Sequence, residues 1–207
     1  MKLHFVGSSL SEVTPLLRAH HYLGQKGRRP ADPVAVFAWR RSGGLLGDSG
    51  DIVAALVFSS PAARAWNGAL ELVRLVRVPD LAEPLSAFVA ASLRHLRKQK
   101  RYRFVVSYAD EGAGHHGGIY QACNFLYLGL VPGGVELVND VSGETCSRRS
   151  FDQRSAISRR GWSRRRTSSN HLYCFPLLAS PSQIEEQAGR KIQPFPKPDA
   201  PSKEAAL

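Results

Sequence analysis

Cysteine is scarce in this chain and shows no pairing pattern. Cys123, Cys146 and Cys174 are odd in number, far apart and never arranged as C-x-x-C, which excludes a disulfide framework and argues for a reducing compartment. Long apolar runs are missing too. No stretch approaches the roughly 18 residues that a membrane span needs, and Met1 to Leu10 lacks the sustained apolar segment of a secretory signal, with Glu12 following soon after. These absences predict a soluble intracellular protein. Acid is in short supply: 17 Asp and Glu stand against 28 Lys and Arg, giving a net charge of +11 and a pI near 10.1. A surplus of that size gathers phosphate polyanions around a protein, so nucleic acid is the leading partner class. There is no internal repeat. What is present, 207 residues of which 43% are hydrophobic, suffices for one core of ordinary size and a tail besides.

Periodicity gives the elements. "SEVTPLLRAHHYLG" places Leu16, Leu17, His20 and His21 at helical spacing behind a Ser11 cap and stops at Gly24. A basic loop from Gly27 to Pro33 precedes "PVAVFAWR" and "DIVAALVFSS", two β-branched strands joined by a Gly/Ser/Asp cluster, which read as an antiparallel hairpin. "ALELVRLVRV" is a third strand with Leu70, Leu72 and Val76 inward. After Pro84, Leu85, Phe88, Val89, Ser92, Leu93 and Leu96 form the stripe of an amphipathic helix ending in the basic "RKQKR". "YRFVVSYAD", a short helix around "GGIYQACNF" and "FLYLGLV" follow in strand–helix–strand order, which predicts parallel pairing there and a mixed sheet overall. Residues 148–166 carry eight arginines around Phe151 and Trp162, "NHLYCFPLL" returns to strand composition, and Gln183 to Leu207, with four prolines, reads as a disordered tail.

The chemistry concentrates between Val105 and Phe125, "VVSYADEGAGHHGGIYQACNF". The carboxyl end of a strand in a crossover unit is the usual mouth of a site, because the loops there splay over a cleft. Asp110 can serve as a base or orienting carboxylate, His115 as a proton shuttle or metal ligand, and Tyr120 as a hydrogen-bond donor or acid. The same residues also fit a purely structural account, with Asp110 capping the helix, the glycines making turns and Tyr120 filling core.

The stretch "SYADEGAGHHGGIYQACNFLYLG" resembles the signature of the phage Mom family of DNA-modification proteins, through Ser107, Tyr108, Ala109, Asp110, Gly114, His115, Gly117, Ile119, Tyr120, Ala122, Asn124, Phe125, Tyr127 and Gly129. "HHYLG" near the first helix, "LELVRLVRVPD" followed by Ser86, and "NHLYCF" are similar to further family segments. The resemblance implies a fold of the α/β (α+β) class like that of the GCN5-related N-acetyltransferases (GNAT): a mixed, mostly antiparallel central sheet flanked by helices, with a central parallel crossover. One such domain over residues 1–180, with an arginine-rich insert at 148–166, is expected.

The implied reaction places a methylcarbamoyl group on N6 of adenine in phage double-stranded DNA, in the host cytoplasm, and shields that DNA from host restriction enzymes. Acetyl-CoA or a related CoA thioester, and iron, are the cofactors that kinship suggests. Adenine N6 is a poor nucleophile, so a proton must leave as bonding develops. Asp110 or His21 can take it; Tyr22, Ser107 or Tyr120 can hold the carbonyl oxygen or the leaving group; Arg74 can neutralise negative charge. His20, His21, Tyr22, Asp110, His115 and His116 include possible metal ligands, without a diagnostic spacing. A flipped base needs an aromatic platform, for which Trp39, Trp66 and Tyr108 are available and Tyr108 is preferred. Asn124 falls within the matching segment as a substrate contact. Arg164, Arg165 and Arg166 have the composition of a phosphate-contacting surface. Where GNAT enzymes hold pyrophosphate on a glycine loop, "RVPDLAEPLS" has no glycine, leaving the backbone amides near Leu85 and Ser86 as the anion site. The rival readings are an ordinary N-acyltransferase acting on a small amine or protein, and a catalytically silent DNA-binding protein.

Overall fold

The computed structural model describes residues 3–25, 30, 32–42, 49–61, 63–147, 151, 155 and 160–196. Most of the basic loop at Gly27, the hairpin turn at 43–48, much of the arginine run before 160 and the last residues from 197 lie outside the described residues. Seven strands, β1 (Leu3–Gly7), β2 (Pro33–Ser42), β3 (Ser49–Ser59), β4 (Ala69–Arg77), β5 (Phe104–Asp110), β6 (Leu126–Val131) and β10 (Asn170–Pro176), form one sheet in the order β1-β2-β3-β4-β5-β10-β6. Three short strands, β7 (Val135–Asn139), β8 (Thr145–Ser147) and β9 (Trp162–Arg166), form a second sheet in the order β8-β7-β9. The expected hairpin is β2 with β3, paired from Pro33↔Ser59 to Ser42↔Ser49.

One pairing differs from the sequence expectation. The parallel neighbours are β4 and β5, joined by helix α3 (Leu85–Gln99), whereas β5 and β6 are separated by β10, which is antiparallel to both. The short helix α4 (Gly118–Ala122) therefore links two strands that never touch. The sheet is mixed and mostly antiparallel, as the resemblance implies.

Both faces are covered. The apolar stripe of α3 buries Phe88, Val89, Leu93 and Leu96 against Leu56, Phe58, Leu70 and Val105, each side chain contributing roughly 1.5–3 kcal/mol of transfer free energy. On the other face α1 (Leu10–His20), followed by the single turn α2 (Tyr22–Gln25), packs Val13, Leu16 and Leu17 over Ala38, Ala55, Val57 and Val76. A further helix on that face, α5 (Pro181–Ala188), buries Ile184 against Phe104, Val106, Leu128 and Leu172. Its existence corrects the expectation of a disordered tail from Gln183. Ser180 and Gln183 make a reciprocal capping box with Pro181 at the first helical position, and Gln193 N–H then bonds Tyr127 O at 2.8 Å. The cap of α1 likewise moves from Ser11 to Ser9, because Glu12 three residues on closes the box with Ser9. Trp39 and Trp66 are core, packed on Phe88 and Phe104.

Candidate functional site at a parted pair of strands

The ladder between β4 and β5 contains only Ala69↔Phe104, Leu70↔Val105 and Glu71↔Val106, although β4 runs on to Arg77 and β5 to Asp110. Past Glu71 and Val106 the two strands part and leave a wedge in the middle of the sheet. Side-chain alternation decides which face each residue serves. Leu72, Ser107 and Ala109 belong with the α3 face; Glu71, Val73, Tyr108 and Asp110 belong with the opposite one. A cleft of ≈ 670 Å³ opens on the α3 side, between the end of α1 and the loop before α4. A smaller one of ≈ 240 Å³ opens on the other side, walled by Thr167, Ser168 and Asn170. Tyr22, Leu72, Val73, Arg74, Tyr108 and Asp110 line both, so the two clefts meet through the wedge.

The first helix and the middle segment are thereby brought together. His21 ends α1, with its backbone N–H bonded to Leu17 O at 3.0 Å. Its ring stacks on Tyr22 at 4.9 Å between centroids, and the Tyr22 ring lies 5.6 Å from that of His115. Burial, assisted by the charges of Arg74 and His115, pulls the His21 imidazole down to about 4, so it is neutral near pH 7. Its Nδ1 accepts from Leu23 N–H at 3.1 Å. The single ring proton of the neutral form must then sit on Nε2, which makes His21 a donor in this arrangement rather than a base.

Across the wedge, Ser107 Oγ lies 2.9 Å from Leu72 O and 2.8 Å from the Tyr120 hydroxyl. One serine proton cannot serve both oxygens: when it bonds the carbonyl, the phenol donates to Oγ. Burial raises the Tyr120 phenol to about 12, so it keeps its proton and acts as a donor or acid. Asp110 holds its Oδ1 against Gly112 N–H at 3.0 Å and Ser168 Oγ–H at 2.6 Å. His115 is exposed at the rim, its N–H bonded to Asp110 O at 3.0 Å. His116 also lines the larger cleft, and its carbonyl accepts from Tyr173 Oη at 2.6 Å.

Arg74 lies against both clefts, with one guanidinium nitrogen bonded to Val73 O at 2.7 Å. Tyr108 is the one of the three candidate aromatics that reaches the clefts; burial first, then Glu71, raises its phenol. Leu85 lines the larger cleft at the start of α3. Pro84 occupies the cap position there and supplies no side-chain bond, and Ser86 contributes its carbonyl to Cys123 Sγ at 3.6 Å.

Other expectations fall away from the clefts. Asn124 lines neither. It is exposed, with φ 58°, and closes α4 through its N–H to Gln121 O, a left-handed position that asparagine tolerates better than most residues. Arg164, Arg165 and Arg166 are exposed on β9, away from the clefts, with Arg165 paired to Glu136 at 2.7 Å. The strand that carries them runs directly into Thr167 and Ser168 on the wall of the smaller cleft. Among the described residues no group of three or more His, Cys, Asp and Glu is placed to hold a metal ion, so the suggested iron has no ligand set there. Ser168 and Thr167 join the clefts without a sequence signal, and Glu71 and Asn170 join them from segments similar to the family's that do not single them out. Nothing in "RTSSNH" marks Ser168 out, because its importance arises from a strand pairing 58 residues away in sequence from Asp110.

Solved structures share this architecture. Arabidopsis thaliana NAA60 in complex with a bisubstrate analogue is 10% identical, with a TM-score of 0.53 over 84% of this chain and 98% of that one. An N-acetyltransferase from Staphylococcus aureus Mu50 is 8% identical, with a TM-score of 0.52 over 86% and 100%. The Salmonella typhimurium protein yncA with its cofactor acetyl-CoA is 8% identical, with a TM-score of 0.52 over 87% and 96%. At such identities the likeness establishes the GNAT fold and nothing finer. No curated protein sequence matches this chain. The Mom protein family does, over residues 9–197, a span that takes in the first helix, the parted strands, both clefts and the α5 helix, and so this chain belongs to the Mom protein family.

Proposed function

We propose that this protein is a transferase that places a methylcarbamoyl-type group on N6 of adenine in double-stranded DNA, shielding phage DNA from host restriction. Family membership and the GNAT fold support a transferase. One observation carries the finer reading: Tyr22 and the neutral His21 converge with Asp110, His115 and Tyr120 on a wedge that is open to both faces of the sheet. Two substrates can then meet without sharing an entrance. The larger cleft, at the start of α3, suits the donor. The smaller, next to the strand bearing Arg164 and Arg166, suits a base drawn from a duplex seated on those arginines, with Tyr108 as its platform.

The residues present are a partial fit to a CoA thioester. The fifteen-residue α3 begins at Leu85 without a side-chain cap, which leaves its first backbone amides for an anion, and the parted edges of β4 and β5 offer backbone groups to an extended chain. The glycine that brings pyrophosphate close elsewhere in this fold is absent from 77–86. When bound, such a thioester supplies an activated carbonyl carbon. Around it, Asp110 Oδ2, the oxygen not committed to Gly112 and Ser168, receives the proton leaving N6. His21 Nε2–H and, when Ser107 Oγ–H turns from Leu72 O to donate to the phenol, Tyr120 Oη–H are the donors for the carbonyl oxygen and the leaving group, and Arg74 offsets the negative charge that develops. An acetyl group carries no nitrogen, so a methylcarbamoyl product requires a further nitrogen-supplying step.

The test is direct. The chain is expressed in a bacterium, total DNA is digested to nucleosides, and deoxyadenosine is examined by mass spectrometry. A heavier deoxyadenosine is expected, its mass separating acetyl from methylcarbamoyl, and Asp110→Asn should cut its yield sharply while leaving a measurable residue. Unmodified DNA at good expression, together with acylation of a free amine or peptide, would assign an ordinary N-acyltransferase instead.

A further inference from the structure

Asp110 receives one more hydrogen bond than its place in the chain requires. The residue begins a short turn (Glu111–Ala113), and capping that turn needs only the bond from Gly112 N–H to Oδ1. The second donor, Ser168 Oγ–H at 2.6 Å, arrives from the far end of the chain, ahead of β10, and meets the same oxygen.

The surroundings are built to bring it there. A methyl group on Gly112 would overlap Ser168 Cβ and Oγ, and one on Gly133 would overlap the carbonyl oxygens of Thr167 and Ser168. The 167–168 segment thus lies between two positions that only glycine fits. Thr167 N–H and Oγ1–H both bond Gly134 O, at 2.9 and 3.2 Å, and Glu111 N–H bonds Ser169 O at 3.2 Å. Asn170 then pairs with Asp110 in the β10–β5 register. Each of these contacts fixes the backbone that aims Ser168.

We propose that Ser168 is a positioning residue of the transfer reaction: with Gly112 N–H it occupies Asp110 Oδ1, fixes the plane of the carboxylate and leaves Oδ2 as the one oxygen presented to the substrate. The inference rests on Asp110 as the proton acceptor. Two donors on one oxygen restrict rotation about the side chain, and a base held in one orientation meets the leaving proton without reorganisation at the moment of reaction.

Two variants break the bond by different routes. Ser168→Ala removes the hydroxyl, and Gly112→Ala keeps it but places a methyl group where it lies. In each, kcat for DNA modification should fall roughly 10- to 100-fold, the fold-change equivalent of one hydrogen bond to a charged group. KM for DNA and for the thioester should stay within about twofold, because the Ser168 hydroxyl is committed to Asp110 Oδ1 rather than offered to either substrate. In the Asp110→Asn background Ser168→Ala should cost nothing further, since the two residues act as one unit. Crystals of the Ser168→Ala protein should show the Asp110 carboxylate in more than one orientation. Melting curves identify a variant that merely unfolds, and the other variant then carries the test. Wild-type kcat in either folded variant, or a Ser168→Ala loss that persists undiminished beside Asp110→Asn, overturns the positioning role. An Asp110→Asn protein that modifies DNA normally overturns instead the reading of Asp110 on which it rests.

Discussion

Gly117 and Gly118 stand side by side as the cap and first residue of α4 and are expected to respond to alanine in opposite directions. Gly117 has φ +75°, and a Cβ there would approach Cε2, Cζ and Oη of Tyr173 closer than 3.0 Å. The Tyr173 side chain is wholly buried, with its hydroxyl committed to His116 O, so the ring has nowhere to move. A left-handed backbone costs a residue with a Cβ about 1–2 kcal/mol, and forcing extra volume into packed core costs about 1–3 kcal/mol more. Gly117→Ala should therefore destabilise the protein by about 2–5 kcal/mol, a fall in Tm of roughly 4–20 °C for a domain of this size. Gly118 meets nothing within 4 Å and sits at the start of the helix, where alanine is favoured over glycine by up to about 1 kcal/mol. Its replacement should be neutral or stabilising. Urea denaturation followed by tryptophan fluorescence measures both. If Gly117→Ala proves as stable as Gly118→Ala, the packing of Tyr173 beneath the loop that carries His115 and His116 is wrong.

His21 gives a pH signature. Its folded pKa of about 4 lies below the ordinary 6.5, so as pH falls the unfolded chain binds the proton first; stability is full above about 6.5 and is lost as pH falls towards 4. His21→Gln should flatten that decline in urea midpoints, and an unchanged slope would deny His21 its buried, neutral state. Charge reversal of Arg164 and Arg166 should weaken DNA binding and reduce the salt slope by about 0.9 for each phosphate that is no longer neutralised, while stability stays within about 0.5 kcal/mol; a slope that does not move places the DNA surface elsewhere. Tyr120→Phe removes the phenol bonded to Ser107 but leaves Ser107 its bond to Leu72 O. Stability should fall by only about 1 kcal/mol while modification, read by nucleoside mass spectrometry, falls at least roughly tenfold.

Local signals in the sequence are reliable where the chain decides its structure over a few residues. The α3 stripe, the β2–β3 hairpin and the strands at Phe104 and Leu126 follow from periodicity and turn chemistry alone. The capping box Ser180-Pro181-Ser182-Gln183 is equally local; the prolines after it give the segment the composition of a disordered tail, although Ile184 is completely buried. The wedge is not legible, because it depends on where a ladder between β4 and β5 stops, and both strands read as continuous. The insertion of β10 between β5 and β6 is hidden for a related reason. Strand–helix–strand order predicts neighbours only when no later segment takes the gap. Among site residues, His21, Tyr22, Asp110, His115 and Tyr120 stand out through the resemblance and do line the clefts. Asn124, from the same matching segment, serves the backbone. Sequence matching by itself cannot separate a residue kept for its chemistry from one kept for its φ.

The late arrival of β10 has a consequence for biosynthesis. On the ribosome, β5 and β6 emerge well before Asn170–Pro176 exists, and until then β5 presents a bare hydrogen-bonding edge and β6 has no neighbour in the sheet. The segment that fills the gap also delivers Ser168 to Asp110 and the wall of the smaller cleft. The central pairing and the smaller cleft are therefore incomplete until β10 has left the exit tunnel. Over the same interval the nascent chain is open to pairing with other extended chains, so folding yield should depend on how quickly translation runs from residue 131 to residue 176.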